Sequence, residues 1–122
     1  MKLTDNFQMS EFDSKDGAMM PFSIRTTVAV LAHQLQVIRD EIGVPITINS
    51  GYRSPSHNAA VGGAKNSYHV KGMAADLVTS LPPQKLAETI KKLMDEGKIK
   101  KGGIKAYNTF VHYDIRGRYA TW

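Results

Sequence analysis

Val28, Leu31, Leu35, Ile38 and Ile42 recur at alternating intervals of three and four residues, and neither proline nor glycine interrupts the period between Ser23 and Ile42. That spacing lays a single apolar stripe along a helix. Gly43 ends the helix, being able to take the left-handed conformation that closes a C-terminus, and Pro45 opens the next element. His33 falls off the stripe, so it is expected to face solvent. Ile46-Thr47-Ile48-Asn49 alternates apolar and polar residues, the period of a half-buried strand. From Ser50 to Tyr68 no period survives, and Gly, Asn and Ser predominate. This stretch reads as a loop with one helical turn at Ser56 to Val61.

The second half repeats the logic. Ala74 to Val78 reads as a strand, and Leu81-Pro82-Pro83 breaks it and starts a helix that runs to about Glu96. Leu86, Ile90 and Leu93 form that helix's buried face, Lys91 and Lys92 lie outside it, and Gly97 stops it. Gly102 to Tyr107 and Phe110 to Ile115 then read as two strands joined by a tight turn at Asn108. Alternation places Phe110, His112 and Asp114 on one face of the last strand, and Val111, Tyr113 and Ile115 on the other. The pattern predicts a small α+β domain spanning residues 1–122. Its antiparallel sheet carries two helices on one face, and residues 1–20 form an irregular arm anchored by Phe7 and Phe12.

Composition narrows the chemistry. At 122 residues the chain supports one modest core. It has no cysteine, so any transition metal must be held by His, Asp or Glu. Neither an apolar leader nor a run of membrane-spanning length is present, so synthesis in the cytoplasm without an export signal and no membrane insertion are expected. The formal net charge is +5, and Lys85, Lys91, Lys92, Lys98, Lys100, Lys101 and Lys105 supply much of the positive charge. No nucleic-acid motif accompanies the cluster and no aromatics are interleaved with it. It reads as a solvated face, and no nucleic-acid partner is expected.

The chemistry-bearing residues lie in Ser67-Tyr68-His69-Val70-Lys71-Gly72-Met73-Ala74-Ala75-Asp76 and in Val111-His112-Tyr113-Asp114. Two histidines and an aspartate that converge make a ligand set of the kind that holds zinc with one position open to water. Along one helix, seven residues would separate His69 from Asp76 by ~10.5 Å, too far for a shared ion. Along one strand, an odd spacing would point them to opposite faces. The chain must therefore turn between them, and Gly72 is where it can. His69 then ends a loop, Asp76 sits in the strand Ala74 to Val78, and His112 comes from a neighbouring strand.

Three motifs occur together: Ser50-Gly51-Tyr52-Arg53-Ser54-Pro55, the Ser-x-His-x-x-Gly-x-Ala-x-Asp pattern of Ser67 to Asp76, and Phe110-Val111-His112-Tyr113-Asp114. In this order they resemble the zinc D-alanyl-D-alanine carboxypeptidases and their peptidoglycan-cleaving endopeptidase relatives from bacteria and phage lysins, whose fold is shared with the hedgehog signalling domain. The resemblance implies one zinc ion per chain on His69, Asp76 and His112. It implies that Arg53 reads a substrate carboxylate, a task its planar fork suits, and that Ser67 contacts the substrate peptide or caps its own loop. His57 is expected to stabilise the loop rather than bind metal.

One position departs from the family pattern. Many members carry an acid three residues before the last zinc histidine as general base, and here that position is Thr109. Asp114 alone shares a strand face with a ligand, so it is expected either to carry the proton or to orient His112 from behind. The implied activity is zinc-dependent hydrolysis of an amide bond in peptidoglycan stem peptides, by a monomer of carboxypeptidase or endopeptidase type. A phage or prophage lysin (an endolysin released to degrade the cell wall) fits synthesis without a signal. The alternative is a zinc-binding, catalytically silent module of the hedgehog kind.

Overall fold

The computed structural model describes residues 1–122. Three helices, α1 (Phe22–Ile42), α2 (Pro55–Ala60) and α3 (Pro83–Asp95), accompany four strands, β1 (Thr47–Ser50), β2 (Ala74–Val78), β3 (Ile104–Ala106) and β4 (Val111–Asp114). The strands form one sheet in the order β1-β2-β4-β3, every neighbouring pair antiparallel. This is the α+β arrangement expected from the pattern. The last two strands are shorter than the sequence suggested, because pairing stops at Ala106 and Val111 and leaves a four-residue connection. The arm is less irregular than expected, since Met9–Phe12 forms a 3₁₀ turn and Lys2 bridges Gln8.

The helix stripe works as its period requires. Val28, Leu31, Leu35 and Ile38 are buried, joined by Ala32, while His33 is exposed and Ile42 packs at the edge of the core. Gly43 caps α1 with φ 68°, a backbone angle that costs glycine little. On α3, Leu86, Ile90, Leu93 and Met94 are buried and Lys91 and Lys92 are exposed. Both helices contribute to one cluster with Ile48, Ala75, Leu77, Ile104, Val111 and Tyr113. Those strand residues define the core face of the sheet. The other face carries Asp76, His112 and Asp114, so both helices pack on the side away from them.

Register delivers residues to that second face. Asp76 stands directly opposite His112, and Ala74 opposite Asp114. On the other side of β2 the register runs Thr47–Val78 and Ile48–Leu77, then slips by one so that Ser50 stands opposite Asp76. Without the slip, Ser50 would share the core face with Ile48. The bulge turns it towards Asp76, the re-aiming that such irregularities produce.

The arm docks where β1 ends. Phe7 and Phe12 are fully buried with ring centroids 6.2 Å apart, and the Tyr52 amide donates to the Phe12 carbonyl at 2.9 Å. A Cβ on Gly51 would lie 2.8 Å from the Phe12 Cα, so the close approach of arm and strand requires glycine there.

Candidate metal centre

The turn forced between His69 and Asp76 is a run of short backbone bonds. Val70 donates to Ser67, Lys71 and Met73 to Tyr68, and Gly72 to His69. Gly72 has φ +72°, and a Cβ there would meet Ile24 Cγ2 at 2.6 Å, so both conformation and space demand glycine. The turn brings His69 Nε2 to 3.3 Å from Asp76 Oδ1, and the strand register brings His112 Nδ1 to 3.4 Å from the same oxygen. One donor atom from each residue lies within 4.8 Å of the others, and all three residues are buried. The two imidazole centroids are 5.3 Å apart.

The remaining ring nitrogens decide whether such a cluster can ligate. His69 Nδ1 lies 2.8 Å from the Gly51 carbonyl, which can only accept, so Nδ1 carries a proton and Nε2 is the nitrogen left to take a metal. His112 Nε2 lies 2.8 Å from Asp114 Oδ2, so a proton sits there. Burial would lower the His112 pKa, but the Asp114 and Asp76 carboxylates outweigh it and raise it, and a cation at Nδ1 would take the place of the second proton. Each histidine thus turns its other nitrogen, the one a metal would take, towards Asp76. Burial would raise the Asp76 carboxyl, but the His112 and His69 imidazoles outweigh it and hold it down at about 2. Two imidazole nitrogens and a carboxylate suit a divalent cation of zinc character, and three protein donors leave a coordination position free.

Asp114 shares the strand face of His112, as alternation required, but it stands behind the ring rather than beside the cavity. It is fully buried, and its carboxylate accepts from His112 Nε2, the Gly103 amide, the Arg116 amide, Arg116 Nε and Arg116 Nη2, all within 3.1 Å. Burial would raise its pKa, yet the His112 and Arg116 hydrogen bonds hold it well below the usual carboxylate range. A carboxylate so engaged and so distant from solvent is a poor acceptor for a proton from the cavity. Of the two expected roles, the geometry suits orientation of His112. The Gly102-Gly103 pair was the available signal, since a Cβ on Gly103 would meet Asp114 Oδ2 at 2.3 Å.

A cavity of about 540 Å³ opens onto the three residues. Arg53, Asn66, Ser67 and Tyr68 line it from the loops, and Tyr107, Phe110, Arg116 and Trp122 from the β3–β4 side. Asp76 is the only carboxylate in its lining. Arg53 Nε donates to Ser50 Oγ at 3.1 Å, Nη1 to Asn58 Oδ1 at 3.2 Å and Nη2 to Asp76 Oδ2 at 3.4 Å. Ser67 Oγ accepts from the His69 amide at 3.1 Å, so the hydroxyl also steadies the loop. His57 lies in α2 outside this lining, and Thr109 is exposed in the β3–β4 turn. Arg116, Tyr107 and Trp122 were not singled out by spacing, because nothing in the linear pattern marks a ring or guanidinium brought in by a hairpin.

With this geometry in view, comparison with known proteins is decisive. A sequence model of the peptidase M15 family matches residues 4–114. The chain belongs to the peptidase M15 family. Among curated M15-like relatives, it is 42% identical over 66 residues to the zinc D-Ala-D-Ala carboxypeptidase of Streptomyces albus G, a match covering 53% of this chain and 26% of that protein. It is 38% identical over 85 residues to the probable peptidoglycan L,D-endopeptidase MepK of Haemophilus influenzae, covering 63% of this chain and 42% of that protein. The matched regions thus span less than half the length of either relative. The family placement agrees with the resemblance carried by the three motifs.

Proposed function

We propose that the chain is a zinc-dependent metallopeptidase that hydrolyses an amide bond in peptidoglycan stem peptides. His69, Asp76 and His112 hold one zinc ion, and Arg53 and Ser67 meet the substrate. The observation that carries this reading is the paired locking of the imidazoles, in which the Gly51 carbonyl and the Asp114 carboxylate leave both remaining nitrogens facing Asp76. The family's relatives supply the metal and the substrate class, one being named for zinc and D-Ala-D-Ala, the other for peptidoglycan. All three ligands come from one chain, so a monomer suffices.

Zinc held there supplies a Lewis acid and a water acidified towards neutral pH. The chain's own residues do the rest. Arg53 engages three of its N–H groups within the protein and has two left for a substrate carboxylate at the cavity wall. That contact fixes the distance from the carboxylate to the scissile bond, which is the positioning a hydrolase needs. Ser67 presents its hydroxyl beside His69, where a peptide N–H or carbonyl of the substrate can meet it. Asp114, with Arg116 behind it, holds His112 rather than moving a proton. The setting this implies is degradation of the cell wall by a released lysin of endolysin type.

Two measurements test the reading. Metal analysis of protein purified without a histidine tag should find about one zinc per chain. Digestion of purified peptidoglycan, followed by mass spectrometry of the products, should show new termini inside the stem peptides and identify the bond. Full zinc with an untouched wall would leave only a silent zinc module, and absence of zinc would remove the metal centre altogether.

A further inference from the structure

The wall of the cavity farthest from Arg53 is aromatic. The Tyr107 and Phe110 rings stack with centroids 4.6 Å apart and planes 16° apart. Trp122 Nε1 donates to the Tyr107 hydroxyl at 3.2 Å, and the Trp122 ring meets His112 edge-on at 5.1 Å. Trp122 reaches this place because the chain after β4 returns alongside β3. Ile104 donates to the Ala120 carbonyl at 2.9 Å and Ala120 to the Gly102 carbonyl at 3.2 Å. Lys105 Nζ donates to the Trp122 carbonyl as well. Arg53 follows β1 at one edge of the sheet, whereas these rings stand at the β3 edge, with Asp76 and His112 on the strands between.

We propose that Tyr107, Phe110 and Trp122 form a subsite that stacks on an uncharged, C–H-rich face of the wall fragment, at the opposite end of the cavity from the carboxylate held by Arg53. This rests on the peptidoglycan reading above. Trp122 is 52% exposed and Tyr107 38% exposed, yet both line a concavity rather than a convex surface. The ring surface they leave exposed in the cleft gains by covering apolar groups, and the Trp122 N–H is already paired with the Tyr107 hydroxyl. The charges beside these rings are cationic, Arg116 with its guanidinium carbon 5.4 Å from the Trp122 ring centroid and Lys105 with Nζ 5.5 Å from the Tyr107 centroid, so a cationic group is disfavoured there. A pyranose ring of the glycan strand and the aliphatic stretch of a stem residue both offer the required face.

Trp122 is the only tryptophan in the chain, so its emission reports on the subsite directly. Zinc-loaded wild-type protein is mixed by stopped flow with a disaccharide-linked stem peptide, or with the same stem peptide lacking sugar, and the emission is read before turnover. A saturable change is expected. If both probes produce it at similar concentrations, the stacked group is aliphatic; if only the sugar-bearing probe does, it is the pyranose. In either case Trp122→Ala should raise KM about threefold to tenfold with little change in kcat. Tyr107→Phe keeps the ring but removes the hydroxyl that holds Trp122. It should raise KM in the same direction, and it keeps the test sharp if Trp122→Ala folds poorly. Hydrolysis at wild-type KM by both variants, with silent tryptophan emission, would overturn the subsite while leaving the peptidase reading intact. Failure of the wild-type protein to hydrolyse peptidoglycan would overturn both.

Discussion

The two halves of the proposed metal centre are secured by different means. Asp76 and His112 sit on adjacent strands, directly opposite each other, and their approach follows from sheet register. Asp114 and Arg116 complete that half from behind with short hydrogen bonds. His69 and Arg53 sit on loops, where no ladder fixes them. Their positions rest on Gly51–Arg53, whose carbonyl and amide groups grip His69 at 2.8 and 3.1 Å, and on the arm beyond it. A strand half that shifted would have to break the core, because Leu77, Val111 and Tyr113 alternate with the site residues. A loop half can shift by losing a few hydrogen bonds without disturbing the core. The metal should therefore depend most on the strands, and substrate recognition most on the loops.

The largest expected effect breaks the strand half. Asp76→Ala or His112→Ala leaves two protein donors and should abolish tight zinc binding, measured as metal content after dialysis. Full occupancy in His112→Ala would remove His112 from the site.

Next in size is Arg53→Lys, which probes the loop half. The protein should fold and keep its zinc, yet lose roughly tenfold to a hundredfold in kcat/KM, since a point charge cannot reproduce a two-pronged contact with a carboxylate. Loss of zinc in this variant would blur the contrast, showing that the loop half holds the metal through the Arg53–Asp76 contact.

Asp114→Asn then asks which half controls the chemistry. As a positioning residue, Asp114 contributes through His112, so zinc affinity should fall ~10–100-fold and activity should return as zinc is raised. A kcat that stays low at saturating zinc would restore Asp114 as proton carrier, against its burial and its five hydrogen-bond donors.

The same contrast explains what could be read in the sequence. The strand half was legible because period and parity are local properties. Ile46 to Asn49 alternates, and side chains along Phe110 to Ile115 take opposite faces in turn, so the shared face of His112 and Asp114 followed from counting. The turn at Gly72 was legible because an odd spacing left the chain no alternative. The bulge that puts Ser50 opposite Asp76 was not, since the residues of β1 carry no mark of the slip. Nor was the role of the arm, whose contacts with Gly51–Ser54 join residues some forty positions apart, as between Ser14 and Ser54. Asp114 was placed on the correct face, but alternation fixes the face of a strand and not whether a side chain reaches the cavity or lies behind its neighbour.

The smallest expected effect tests the outermost brace of the loop half, Asp16. Its Oδ2 accepts from Ser54 Oγ at 2.7 Å, its Oδ1 accepts from Ser14 Oγ at 2.7 Å, and Ser14 Oγ in turn accepts from the Ser54 amide at 3.0 Å. Ser54 adjoins Arg53 and caps α2, so Asp16 acts on the proposed carboxylate-binding arginine through one intervening residue. Asp16→Asn keeps the shape but loses one acceptor, and loss of a single part-buried hydrogen bond should raise KM a few-fold at constant zinc content. The titration supplies an independent check. Hydrogen bonds from Ser54 and Ser14 lower the Asp16 carboxyl from 3.8 to about 2. Because the folded value lies below the unfolded one, the stabilisation is fully present above 3.8 and disappears as pH falls through about 2. Thermal unfolding of zinc-free wild type and Asp16→Asn should therefore differ at about pH 5, with the gap closing as the solution is acidified across that window. A gap that persists unchanged to the acid end would mean that the carboxylate charge contributes nothing to the brace, leaving Phe12 and the Tyr52 backbone as the arm's hold on the loop.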